Sequence, residues 1–187
     1  RMTSCTLRPA TPDDLTAIHG LIMEHGPNQW NWLPENGVAS TLDELRTGLA
    51  GAVVADNGQR LLGVLVYRQE DHFPHLRPHD VAPAQCGFLV EAVVSREAAG
   101  QGLGTRLMQA ACDALATRGI TWITADRHEE NAASAGMMRR AGLVLISTFD
   151  DPERRPHGSL VRHGLRGVGA GYPQRADLAL GGADGGL

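Results

Sequence analysis

The chain contains no lysine: all seventeen of its basic residues are arginine, and they form no basic run. Two classes of function fall with that absence. A Walker-type phosphate loop needs Gly-Lys-Ser/Thr, so a P-loop nucleotide site is excluded. A formal net charge of −4 without a basic stripe leaves no electrostatic footprint for nucleic acid, and no nucleic-acid partner is expected. Cysteine is scarce as well. Cys5, Cys86 and Cys112 are odd in number and widely spaced, so they make neither a disulfide framework nor a CxxC metal pair, and a reducing, cytoplasmic setting fits them. No apolar stretch approaches the ~20 residues that cross a bilayer, and no basic-then-apolar leader opens the sequence, so no membrane partner is expected. Arg1 ahead of Met2 reads as an added residue.

What is present suits one domain with a full core, since 187 residues are enough to bury one. Its centre is residues 88–107, FLVEAVVSREAAGQGLGTRL, which reads as strand, glycine-rich turn and helix. Residues 88–94 are apolar and rich in β-branched side chains, as in a strand buried on both faces. Glu91 alone breaks the run. A carboxylate there is costly unless it is paired, protonated or facing a cavity. Beyond Ser95 come Gly100, Gly102 and Gly104, then Leu103, Leu107, Ala111 and Leu115 at helical spacing. Such glycines let backbone N–H groups converge on a phosphate at a helix N-terminus, although they also suit a plain turn. A dinucleotide fingerprint counted from Gly100 fails at Thr105, even with Asp126 near the position of an acidic ribose ligand.

Taken in order, the chain predicts a strand at 3–8, then a helix with Thr11 as N-cap, Pro12 in first position, and Leu15, Ile18, Leu21 and Ile22 as its stripe. Residues 28–37 form a loop in which Trp30 and Trp32 either stack on a ligand or cover a core edge. A second helix is predicted at 41–49, capped by Ser40 or Thr41. Residues 52–55 and 61–67 flank Asp56-Asn57-Gly58-Gln59 as a hairpin, and Gly63 marks a bulge or a close backbone approach. The segment 71–84 holds His72, His75 and His79, but three prolines prevent them from stacking on one helix face, so no metal is expected. A strand at 120–125, a DRHEE loop at 126–130, a helix at 131–141 and strands at 143–149 and 158–165 complete the order. Met137 and Met138 read as core. Residues 167–187 are too rich in glycine to build a core and are expected to form a disordered tail beyond a domain of residues 1–166.

This order, together with two motifs, resembles the GNAT superfamily of acyl-CoA-dependent N-acyltransferases over roughly residues 3–165. The first motif, Arg/Gln-x-x-Gly-x-Gly/Ala, appears as Ala99-Gly100-Gln101-Gly102-Leu103-Gly104. The second appears as Asn131, Ser134, Met137-Met138 and Gly142-Leu143. The resemblance implies an α/β fold: a mixed, splayed sheet of about seven strands with helices on both faces. It also implies acetyl-CoA as co-substrate, entering between the strands at 88–94 and 120–125. Backbone groups of Val93 and Val94 would pair with the pantetheine arm. N–H groups of Gly100, Gln101, Gly102, Leu103, Gly104 and Thr105 would hold the pyrophosphate, and Asn131 would bind the arm or set the opening.

The implied reaction is direct attack of a small-molecule primary amine on acetyl-CoA, with Glu91 as proton acceptor, its pKa raised by an apolar cleft. The alternative for Glu91 is a structural carboxylate bonded to an arginine or a backbone group, and the base would then be His128 or Glu129. Trp30, Trp32 and Glu129 are the expected acceptor contacts, and a homodimer is left open. Cys86 and Cys112 lack any activating histidine nearby in sequence. Two positions depart from the family pattern. Ala99 replaces an Arg/Gln, and Met138 stands where many members carry a proton-donating tyrosine; a thioether cannot donate. These departures keep two alternatives in view: a non-catalytic acyl-CoA-binding sensor or assembly protein, and a transferase for a longer acyl donor.

Overall fold

The computed structural model describes residues 4–26, 35–128, 131–150 and 166–173. The chain opens with β1 (Thr6–Pro9), and a 3-10 turn at Pro12–Asp14 leads into α1 (Leu15–His25). Pro12 starts that turn as predicted, and the Thr11 backbone N–H donates to Asp14 Oδ2 at 2.7 Å. Arg8 donates to both oxygens of the same carboxylate at 2.8 Å and also reaches Asp56. This bidentate partner holds the Asp14 carboxyl down to about 2 and ties the first strand, the helix start and the hairpin strand together.

The second helix differs from the prediction. α2 covers Glu35–Thr47, beginning six residues before Thr41. Thr41 is interior, and its hydroxyl donates back to the Gly37 carbonyl at 3.2 Å instead of capping. The hairpin is as predicted: β2 (Gly51–Asp56) and β3 (Leu61–Arg68) pair across a turn in which Asn57 Oδ1 accepts from Gln59 and Arg60 backbone N–H groups. Gly63 is a close approach, since a Cβ there would lie 2.7 Å from Leu107 Cδ1.

The remaining elements are β4 (Cys86–Val94), α3 (Leu103–Ala116), β5 (Trp122–His128), α4 (Ala132–Arg140), β6 (Val144–Asp150) and β7 (Arg166–Pro173). Seven strands make one mixed sheet in the order β1-β2-β3-β4-β5-β7-β6. Of its neighbouring pairs, β4 and β5 are parallel and the others antiparallel. Helices cover both faces. Leu65 and Leu89 pack with Leu107, Ala111 and Leu115 of α3, whereas Val54, Val64, Val66 and Val93 pack with Ile18, Leu21 and Ile22 of α1. Each fully buried Leu or Ile contributes about 1.5–3 kcal/mol of apolar transfer, so the two layers clamp β3 and β4 as the rigid middle of the sheet.

Two expectations at the C-terminal half are corrected. β5 starts at Trp122 and carries Asp126–His128 inside the sheet, because β7 supplies backbone partners to that polar stretch. The strand expected at 158–165 lies outside the described residues. Among the described residues a strand falls at 166–173, so the stretch assigned to the tail from 167 onward begins inside the sheet. Antiparallel partners on both edges hold this glycine-rich strand through its backbone. Glycine is also required by Trp122: a Cβ on Gly171 would lie 3.0 Å from its Cη2 atom.

Candidate functional site

The parallel pairing of β4 with β5 ends early. Its register runs from Cys86↔Trp122 to Leu89↔Ala125, although β4 continues to Val94 and β5 to His128. Beyond Leu89 and Ala125 the strands diverge into a V. One arm is 90–94, still paired to β3 on its other edge; the second arm is 126–128, paired to β7. The backbone groups that β4 turns toward the opening suit an extended, amide-bearing ligand, as an added strand would.

At the end of the first arm the chain makes a 3-10 turn at Arg96–Ala98 and then the glycine loop. The turn is tied to the end of α1: Arg96 N–H donates to His25 Nδ1 at 3.3 Å, and its guanidinium to the Glu24 carbonyl at 3.1 Å. Gly100 and Gly102 both have φ of +76°, a conformation that glycine adopts freely. Gly102 is the N-cap of α3 and offers no side chain to its first turn, so the N–H groups of Leu103, Gly104 and Thr105 leave the helix end without an intrahelical acceptor. A Cβ on Gly100 or Gly102 would meet nothing within 4 Å, so space for a ligand adjoins these amides. Gly104 has a different task. A Cβ there would collide with the sulfur of Met137, so its bareness lets α4 approach α3. Two buried hydroxyl oxygens flank this region, Ser95 Oγ and Thr105 Oγ1, and neither has a hydrogen-bond partner among the described residues. Orphaned donors beside converging amides fit a polyanionic group.

Glu91 owes its direction to a β-bulge. The register passes from Tyr67↔Leu89 to Val66↔Glu91 and skips Val90. Leu89 and Tyr67 belong to the α3-side core, whereas Val66 and Val93 belong to the α1-side core. Plain alternation from Leu89 would turn Glu91 toward α3. The extra residue turns it to the α1 face, half-buried, with Val93 and Ser95 on the same side. Nothing in the amino-acid pattern announces that bulge.

Asn131 caps α4, its Oδ1 accepting from the Ser134 backbone N–H at 3.1 Å. Its nitrogen end therefore supplies whatever a ligand receives from it. Met138 is buried in the α3-side core, and the Leu143 N–H donates to its carbonyl at 2.9 Å, which fits the packing role predicted. Desolvation, the largest cause in each case, pushes the Cys86 thiol up to about 11 and the Cys112 thiol to about 12, so neither offers a ready thiolate. Trp30, Trp32 and Glu129 lie outside the described residues. Among the three loop histidines, His72 stacks on Phe88 with ring centroids 3.8 Å apart and bonds Glu70 Oε2 at 3.0 Å.

Comparison with known proteins agrees with this geometry. The sequence model of the acetyltransferase (GNAT) family matches residues 16–143. Among curated proteins none matches. Solved structures share the fold. An N-acetyltransferase from Staphylococcus aureus Mu50 superposes with a TM-score of 0.69 at 14% identity, covering 92% of this chain and 99% of its own. The yncA protein of Salmonella typhimurium, solved with its cofactor acetyl-CoA, gives 0.68 at 16% identity, covering 92% and 95%. AAC(6')-Ib in complex with parmomycin and acetyl-CoA gives 0.67 at 17% identity, covering 94% and 96%. The family match spans the strand, the glycine loop, α3 and the Asn131-capped helix that together frame the V, and by it the chain belongs to the acetyltransferase (GNAT) family.

Proposed function

We infer that this protein transfers the acetyl group of acetyl-CoA to a primary amine of a small-molecule acceptor, by direct attack. The observation that carries the reading is the early end of β4–β5 pairing beside a helix start with uncommitted amides. When bound, acetyl-CoA supplies an activated acetyl thioester. N–H groups of residues 100–105 hold its pyrophosphate, with the Thr105 and Ser95 hydroxyls as further partners. The Val94 carbonyl orients the pantetheine arm, since Ser95 and Val93 turn their backbone groups to β3 and Val94 turns its own to the V, and the Asn131 amide nitrogen donates at the mouth of the V. The Val94 N–H is the donor for negative charge developing on the carbonyl oxygen.

The acceptor nitrogen forms its C–N bond as the C–S bond breaks, the sulfur leaving with the electron pair and taking a proton from solvent. The surplus proton on nitrogen passes to the Glu91 carboxylate, directly or through one water. No covalent enzyme intermediate is needed, consistent with the raised thiol pKa values.

Free-thiol release from acetyl-CoA with a broad panel of amines, beside calorimetric titration with CoA, tests the reading. Amine-dependent release supports it. Tight CoA binding with no release by any amine supports instead the second reading, a non-catalytic acyl-CoA sensor, which the burial of Met138 at the usual proton-donor position favours. Release from longer acyl-CoA alone would reassign the donor.

A further inference from the structure

The 3-10 turn at Arg96–Ala98 leads into the glycine loop, and its backbone N–H groups can be followed in order. The Ser95 N–H donates to the Leu62 carbonyl at 2.8 Å, the Ala98 N–H to the Ser95 carbonyl at 3.0 Å and the Ala99 N–H to the Arg96 carbonyl at 3.2 Å. The Arg96 N–H stands first in the turn, where no carbonyl of the turn itself reaches it. A serine in N-cap position commonly supplies the first turn through its hydroxyl, yet Ser95 makes no cap bond. The acceptor for Arg96 comes from 71 residues earlier in the chain: it is His25 Nδ1, at 3.3 Å.

His25 is well placed to hold that turn still. It ends α1, whose Ile18, Leu21 and Ile22 are buried in the core, and its own side chain is only 13% exposed. A backbone N–H can only donate, so Nδ1 carries no proton and Nε2 bears the hydrogen of a neutral ring. Nε2 faces the Glu24 carboxylate at 3.6 Å, which favours that same tautomer. The Arg96 guanidinium adds its bond to the Glu24 carbonyl, and Glu97, next in the turn, pairs with Arg60 between β2 and β3. Beyond the turn, a Cβ on Gly100 or Gly102 would meet nothing within 4 Å, so packing does not hold the outer side of the loop. The loop is therefore placed from its two ends, by α3 and by the turn that His25 anchors.

We propose that His25 is a positioning residue for the diphosphate of the acyl donor, acting through the Arg96 N–H; the proposal rests on the donor-site reading above. The bond sets where the turn lies against α1, and the turn sets where the amides of residues 100–105 converge. Converging amides hold an anion well only when their supports keep them in register with it. Without the Nδ1 acceptor, the Arg96 N–H loses its partner on α1 and the turn is free to part from the helix end. A donor that lacks the diphosphate makes no use of the loop, so it is indifferent to His25.

The test uses the full chain and reads CoA affinity by calorimetry. Thiol release with an amine that the parent accepts gives kcat and KM for acetyl-CoA and for S-acetylpantetheine, which has no diphosphate. His25→Leu removes the acceptor, and it is expected to raise the CoA Kd and the acetyl-CoA KM ~10-fold or more with kcat near parental. His25→Asn puts an oxygen where Nδ1 stood and is expected to bring both back to within ~3-fold of the parent. Kinetics with S-acetylpantetheine should be parental in each variant. Arg96→Pro has no N–H to satisfy and suits the first position of the turn, so adding His25→Leu to it should shift the Kd less than ~2-fold. Parental CoA affinity in folded His25→Leu, equal losses in His25→Leu and His25→Asn, an equal loss with S-acetylpantetheine, or a full further loss on Arg96→Pro overturns the assignment. Absence of thiol release with any amine overturns the transferase reading and leaves the CoA titrations to decide this one, whereas a parent that binds no CoA overturns both.

Discussion

Glu91 stands across from Val66 because Val90 is the residue that the β3–β4 register skips. One inserted residue thus decides which side of the sheet receives the carboxylate. Glu91→Gln keeps the volume and removes the basicity, so turnover is expected to fall at least ~100-fold, within the range of about 10²–10⁴ that general-base catalysis supplies. CoA affinity should be near parental, and the acidic limb of the pH–rate profile should flatten. Near-parental turnover in the folded variant sends the base role to His128 or Glu129. Deleting Val90 is a complementary measurement: Leu89 and Glu91 become neighbours, plain alternation keeps Glu91 on the α1 face opposite Val66, and turnover should stay within a few-fold of the parent if the protein folds.

Gly102 and Gly104 should fail in different ways. Gly102→Val places a β-branched residue at a φ of +76°, which costs on the order of 1–3 kcal/mol and fills the approach to the amides. Calorimetry should show CoA binding abolished; parental affinity in a folded protein removes the loop from the site. Gly104→Ala instead pushes on Met137 and should lower stability by about 1–3 kcal/mol as overpacking does. Met137→Ala in the same chain should recover most of that loss, as read by denaturant titration.

Met138 is buried among apolar side chains and cannot donate a proton. Met138→Leu should therefore change turnover only a few-fold. A ~100-fold drop without a change in melting temperature contradicts the packing role.

Asp14 links acid stability to the hairpin. Its carboxyl is lowered from 3.8 to about 2, chiefly by the Arg8 hydrogen bonds, so the stabilisation is complete above pH ~4 and lost as pH falls through about 2. Asp14→Asn should cost roughly 1–3 kcal/mol at neutral pH, as expected for losing hydrogen bonds to a charged group. Denaturant midpoints of parent and variant should converge between pH 4 and pH 2. A gap that persists at pH 2 contradicts the linkage.

Local signals make much of the fold readable. Thr11-Pro12 and Asp56-Asn57-Gly58 carry their own backbone chemistry, and the glycine loop with Asn131 carries the family resemblance. What escapes is set by pairing between distant strands. The bulge at Val90 depends on how β4 meets β3, and the length of β5 depends on β7 lying beside Asp126–His128. Residues 167–171 mislead because their composition suggests a tail while their period suggests a strand. Glycine at every second position is a strand-face pattern, and its reason at Gly171 is visible only once the Trp122 indole lies against it.

The strand order also governs the sequence of assembly. β6 joins the sheet through β7, which is made later and inserts between β6 and β5. On the ribosome, then, β5 remains an open edge, and the apolar Val144, Leu145 and Ile146 of β6 have no sheet to join until residue 173 has emerged. A chain halted before that point carries an unfinished edge prone to pairing with other chains.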